Sequence, residues 1–153
     1  ENCFLHSEIR EKGGAYGAGA NYSPVTGNYT LYSYRDPHIK NTFSIFKSSL
    51  EKIALGQFDN LDMIEAKLGL IQDFDTPISP GIRAINSYFF WREKKGIKLR
   101  QDFRDKVLTC TENDVKEAVH KHILFQKDVG TAVSFADTTL LQKEDPSLQI
   151  IPF

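Results

Sequence analysis

The chain has 153 residues, 41% hydrophobic and 25% charged, the makeup of a domain able to bury a core. Its 19 basic residues against 20 acidic ones give a formal charge of -1, which leaves no electrostatic footprint for nucleic acid or an anionic membrane surface. No apolar run approaches the roughly 20 residues that span a bilayer, and the first residues do not have the pattern of a signal or transit peptide, so a soluble protein is expected. Cys3 and Cys110 lie far apart as two lone thiols, which points to a reducing compartment, a single bridge between them being the alternative.

Residues 1–10 read as the interior or end of a helix, with Phe4, Leu5 and Ile9 on one apolar face and no capping residue before them. The chain is therefore expected to begin inside a domain, as a piece of a longer polypeptide. Gly13-Gly14 breaks the periodicity, and Ala15 to Tyr22 follows as an extended segment of small residues and tyrosines that lets another backbone approach closely. The turn formers Ser23 to Asn28 lead into Tyr29 to Tyr34, where Tyr29 and Leu31 alternate against Thr30, Tyr32 and Tyr34, predicting an antiparallel hairpin.

Asp36-Pro37 supplies a cap and a first-turn proline for a helix carrying Ile39, Phe43, Phe46, Leu50 and Ile53 at spacings of four and three. A second helix is predicted from Asp59, with Leu61, Ile64, Leu68 and Ile71 on one stripe, until Asp75-Thr76-Pro77 stops it. Ser79-Pro80 opens a third, holding Ile82, Ile85, Tyr88, Phe89 and Trp91, with Gly96 as its end. A short helix with Phe103 and Val107 follows. Thr111 and Asp114 form a capping-box pattern for a helix through about Phe125, with Val115, Val119 and His122 on one face. Gly130 to Ala136 alternates Thr131, Val133 and Phe135 against Ala132, Ser134 and Ala136, which predicts a final strand.

Strands adjacent in sequence with helices grouped after them indicate an α+β fold, an antiparallel sheet with helices packed on one face. Three strands would leave a long unpaired edge, so the sheet is expected to be incomplete at its N-terminal side and to continue in residues outside this chain.

The chemistry is mostly decided by elimination. His120-Lys121-His122 is the one histidine cluster, but residues two apart on a helix point about 200° apart and cannot share a metal. His122 reads as a histidine at the edge of the core and His120 as a solvated one. Neither His-Glu-x-x-His nor its inverse is present, and no Gly-x-Ser-x-Gly elbow or reactive cysteine context supports a nucleophilic hydrolase. The run from Gly13 to Gly19 lacks a following Gly-Lys-[Ser/Thr] and precedes a strand, which argues against a phosphate loop. Arg10 and Tyr16 remain. A guanidinium at a helix end and a phenol on the next strand can both donate to one carbonyl oxygen and stabilise charge developing on it, as an oxyanion hole does. By spacing alone the plainer alternative, a surface Arg10 paired with Glu11 or solvent and a Tyr16 packed in the sheet, outweighs this.

The stretch from Phe4 to Ala20, with Arg10-Glu11-Lys12-Gly13-Gly14-Ala15-Tyr16-Gly17 at its centre, resembles the last domain of the presequence-protease branch of the insulinase-like zinc metallopeptidases. The resemblance continues through Tyr29 to Pro37, more weakly through Ile64 to Leu68, and fits the later helix order. It implies that residues 1–153 are the C-terminal portion of the last α+β domain of a longer peptidase, in which related domains close round an unfolded peptide. It also implies zinc as cofactor, held in the first domain on an inverted His-x-x-Glu-His helix that this chain lacks. The chemistry the resemblance implies is hydrolysis by water that the zinc would activate, with a glutamate as the base, all outside this chain. Arg10 and Tyr16 match the residues that reach across the chamber to the substrate, with Gly13 and Gly14 at the substrate-binding turn, and this reverses the balance set by spacing. The implied partners are unstructured peptides, such as cleaved targeting peptides, and the remaining domains of the same polypeptide, in a mitochondrial matrix or a bacterial cytoplasm. The alternative is a non-catalytic binding or assembly subunit of the same fold. Expressed alone, the chain is expected to bind no zinc in stoichiometric amount, lacking three convergent ligands; elemental analysis finding one tightly held zinc per chain would contradict this.

Overall fold

The computed structural model describes residues 2–125 and 130–151, with the side chains of residues 2 and 3 excepted; the readings placed on Glu1 and on the Cys3 thiol lie outside the described residues. The described chain is α+β and divides into two units, residues 1–55 with 118–153 and residues 56–117.

In the first unit the opening helix, Asn2–Lys12, is wound as a π-helix. It ends on the two glycines. The Gly14 N–H donates to the Arg10 carbonyl at 3.0 Å and the Ala15 N–H to the Ile9 carbonyl at 3.1 Å, a Schellman-like ending with each bond one residue wider than usual. Gly14 has φ 77°, the left-handed conformation this ending requires. At Gly13 the constraint is space, since a Cβ there would sit 2.5 Å from the Ile9 carbonyl oxygen.

The reversal feeds directly into β1 (Gly17–Tyr22), which pairs antiparallel with β2 (Tyr29–Tyr34) in the register Gly17↔Tyr34 to Tyr22↔Tyr29. The predicted hairpin is thus present, closed by Gly27 N–H to the Ser23 carbonyl at 2.8 Å. One face of the ribbon carries Ala18, Ala20 and Leu31 against a core of Leu5, Ile9, Ala15 and Phe46. Ile9, 1% exposed, is its centre, and burying such a side chain contributes about 1.5–3 kcal/mol. The small side chains of β1 let the opening helix lie close to the ribbon. Helices therefore cover one sheet face, while Tyr32 and Tyr34 stand exposed on the other.

Helix α1 (Lys40–Ala54) begins later than Asp36-Pro37 suggests, with Ile39 as its N-cap. Asp36 instead accepts from the His38 N–H at 2.9 Å and the Thr42 hydroxyl at 2.6 Å, bracing the turn before the helix. The Ile39 N–H is satisfied by Glu144, at 3.2 Å. The predicted apolar stripe faces inward, but Thr42 and Ser49, which lie outside it, are buried as deeply as Phe46.

In the second unit α2 (Asn60–Asp75) has the capping box of Asp59 with Asp62. Its packed side is not the predicted one. Leu61, Ile64 and Leu68 are exposed, and α2 meets α4 (Ile97–Thr109) through Lys67 Nζ to the Leu108 carbonyl at 3.0 Å, Phe74 stacked on Phe103 at 5.1 Å and Arg104 paired with Asp75 at 3.0 Å. Helix α3 (Pro80–Arg92) stops before Gly96, which is instead the N-cap of α4, a helix of 13 residues rather than a short one.

Thr111 and Asp114 cap α5 (Glu112–Val119) reciprocally, and those bonds to Thr111 hold the Asp114 carboxyl below the usual aspartate range. A π-helical turn, His120–Leu124, continues the chain. The wider winding shifts the helix face, so Val119 is buried, Ile123 and Leu124 are half-buried, and His122 is exposed rather than at the core edge.

Residues 130–137 form no strand. Their alternation suits a sheet, but alternation is a property of one segment and a strand of a paired ladder, and the sheet among the described residues consists of β1 with β2. Among the described residues the sheet has two strands rather than three. The chain instead enters an unpredicted helix, α6 (Thr138–Glu144), capped by Asp137, whose carboxyl accepts from the Thr139 hydroxyl and N–H and is held below its ordinary pKa by them. Among the described residues no helix is long and apolar enough to cross a membrane.

Gly13→Ala is expected to destabilise by about 1–3 kcal/mol, since a backbone oxygen must yield to the new methyl. Gly14→Ala is expected to cost roughly 1–2 kcal/mol through its left-handed φ. Urea denaturation followed by circular dichroism checks both, and unchanged midpoints would show that this turn does not set the helix ending.

Candidate functional site

The widened helix ending brings Arg10 and Tyr16 to one place. Arg10 is the fifth residue before the Ala15 N–H that closes the helix, and Tyr16 is the first residue beyond it. The Tyr16 N–H donates to the Tyr34 carbonyl at 3.1 Å and the Arg35 carbonyl at 3.3 Å, so the start of the sheet ladder holds this residue by its backbone. Its side chain is 65% exposed, and no described residue hydrogen-bonds its hydroxyl.

Both side chains line a cavity of about 590 Å³, with His6, Glu11, Gly14, Ala15 and Arg35. Of the four residues singled out in the sequence, the structure brings Arg10, Gly14 and Tyr16 together there. Gly13 does not line it and sits in the tight turn behind.

Arg10 is steered rather than loose. Its guanidinium donates to His6 Nε2 at 2.9 Å, across one helical turn. His6 Nδ1 lies 3.5 Å from a Glu11 carboxylate oxygen, so the acceptor role of Nε2 toward Arg10 goes with a proton on Nδ1 that faces Glu11. On the neighbouring positions Lys12 Nζ and Glu8 pair at 2.6 Å, and that bond to Lys12 lowers the Glu8 pKa. The pairing with Glu11 expected of a surface Arg10 is therefore taken over by His6.

Tyr16 is braced by aromatic contacts. Its ring meets Tyr34 edge to face, centroids 5.8 Å apart at 85°, and the Arg35 guanidinium lies over both rings, at 5.6 Å from Tyr16 and 5.4 Å from Tyr34. Sequence reasoning missed His6, Glu11 and Arg35 as members of this cavity. His6 and Glu11 were findable as neighbours of Arg10 on the helix. Arg35 was not, because it is placed beside Tyr16 by strand pairing across 19 residues.

The arrangement offers hydrogen-bond donors, a guanidinium held by a neutral acceptor and a phenol with a free hydroxyl, at a concave and solvent-accessible surface. It suits holding a carbonyl or an anionic oxygen. Among the described residues no three His, Cys, Asp or Glu side chains converge to hold one, and His120 and His122 are both exposed on the π-helical turn. Cys110 is a half-buried free thiol whose sulfur faces the Thr111 carbonyl at 3.7 Å.

The chain matches the family described as the PreP C-terminal domain over residues 1–134. It is 37% identical over 147 residues to the mitochondrial presequence protease of Xenopus tropicalis, covering 94% of this chain and 14% of that protein. It is 32% identical over 145 residues to the mitochondrial presequence protease of Mus musculus, again 94% and 14%, and 36% identical over 131 residues to that of Kluyveromyces lactis, 85% and 13%. The chain thus spans about 14% of the length of the curated relatives it matches. With the match running through the Arg10 to Tyr16 turn, the hairpin and the helices beyond, the chain belongs to the presequence-protease C-terminal domain family.

Proposed function

We propose that this chain is the substrate-holding C-terminal part of a zinc metalloendopeptidase that degrades unstructured peptides, cleaved targeting peptides among them, in a closed chamber. The observation that carries the reading is the convergence of Arg10 and Tyr16 on one cavity, with the phenol hydroxyl free to donate, in a chain of this family. Under this reading the zinc and its ligands lie in the rest of the longer polypeptide, which is this chain's principal partner, and the enzyme works in the mitochondrial matrix; the relatives' names, which say mitochondrial, support the organelle.

The work assigned to this chain is positioning. Tyr16 Oη donates to a peptide carbonyl oxygen, and the Arg10 guanidinium, aimed by His6, donates beside it. Both donors are fixed before the substrate arrives, Tyr16 by its backbone bonds to β2 and by the Tyr34 ring, Arg10 by the helix ending and His6. Little reorganisation is then needed as negative charge grows on the oxygen, which is the condition under which such donors favour the transition state over the ground state. The chain alone is expected to be inactive, because donors without an attacking group hold a peptide but do not cleave it.

In the full-length protein, Tyr16→Phe removes one oxygen and keeps the ring against Tyr34 and Arg35. Turnover of an unstructured peptide is expected to fall about 10²- to 10³-fold with little change in melting temperature. Arg10→Lys keeps the charge but loses the planar fork, and turnover is expected to fall as well. Steady-state kinetics alongside thermal melts decide the matter: near-full activity in both variants, or losses that track lost folding, would assign Arg10 and Tyr16 a structural role.

A further inference from the structure

Arg35 carries three features that the grip on a carbonyl by Arg10 and Tyr16 does not use. Its φ is 49°, a left-handed conformation uncommon for a residue with a Cβ. Its guanidinium lies over the Tyr16 and Tyr34 rings, which fix its position while leaving its donors uncommitted. Among the described residues that guanidinium makes no hydrogen bond and no ion pair, although it lines the same cavity as Arg10.

Two guanidiniums in one cavity repel each other, and the single carboxylate of the lining, Glu11, is turned to His6. The cavity therefore carries an uncompensated positive charge, more than a neutral peptide carbonyl needs. A planar guanidinium with free N–H groups matches a carboxylate bidentately.

We propose that Arg35 is a carboxylate-binding residue of this cavity, gripping either the C-terminal carboxylate of a bound peptide or an Asp or Glu side chain within it. The proposal rests on the reading that the cavity holds peptide. Arg35 acts in recognition, so its loss is read in affinity.

The test is peptide binding by the full-length protein, with EDTA present to prevent hydrolysis, read by fluorescence anisotropy of a labelled unstructured peptide. One pair of peptides differs only in a C-terminal acid or amide, a second only in an internal Glu or Gln. The wild-type protein is expected to bind the carboxylate member of one pair about tenfold more tightly, and the pair that shows the difference identifies the source of the carboxylate. Arg35→Asn is expected to abolish that preference, since Asn tolerates the left-handed backbone and carries no charge; Arg35→Gln serves as the second variant, with circular dichroism confirming the fold of each. Equal binding within both pairs by the wild type, or a preference that survives in both variants, overturns the proposal while leaving the peptide-holding reading intact. No peptide binding by the wild-type protein overturns both.

Discussion

Everything in the first unit hangs on how the opening helix stops. A π-wound helix presents its last carbonyls on a wider circle than an α-helix, and the bonds from Gly14 to Arg10 and from Ala15 to Ile9 accept that width rather than correct it. Two glycines are needed for different reasons: Gly14 for its left-handed φ and Gly13 because no Cβ fits against the Ile9 carbonyl. The same reversal drops Ile9 and Ala15 into the core and delivers Tyr16 to the edge of the hairpin. Stability and site geometry thus share one set of backbone bonds.

The hairpin divides its two faces between these tasks. Ala18, Ala20 and Leu31 lie against the opening helix and α1, where small side chains permit close approach. On the solvent side the aromatic rings of Tyr34 and Tyr16 support the Arg35 guanidinium. The rings are exposed, yet they are not idle, because they hold charged and polar groups in place at a surface where solvent would otherwise leave them mobile. His6 does the same for Arg10 from the helix side. Arg10, Tyr16 and Arg35 are thus each seated by a neighbouring side chain.

The second unit follows a different logic. Helices α2 and α4 are joined by a ring stack, a buttressing cation over Phe74 and an ion pair at the surface, Arg104 with Asp75. Exposed pairs of that kind contribute little, so the Phe74 and Phe103 contact is the more important part. The leucine and isoleucine stripe on α2 points away from this contact and stands in solvent, as do Ile82 and Ile85 on α3.

Local rules were legible in the sequence wherever a local interaction decides the outcome. The hairpin follows from Ser23 to Asn28, the start of α2 from Asp59, the capping box from Thr111 with Asp114, and the helix ending from Gly13-Gly14, because each is settled within a few residues of backbone. The motif that contains Arg10 and Tyr16 was readable too, through its resemblance to a family. Periodicity misjudged α2, since it reports which face is apolar and not which face finds a partner. It also proposed a strand at 130–136, because alternation is a property of one segment whereas a strand is a property of two. Asp137, the N-cap of α6, is a local start signal that the alternation before it obscures. The shared cavity, the hold of His6 on Arg10 and the seat of Arg35 over two tyrosine rings were decided only by tertiary structure. They depend on strand register and on a helix wound one residue wider than usual, and neither is written in the spacing of residues along the chain.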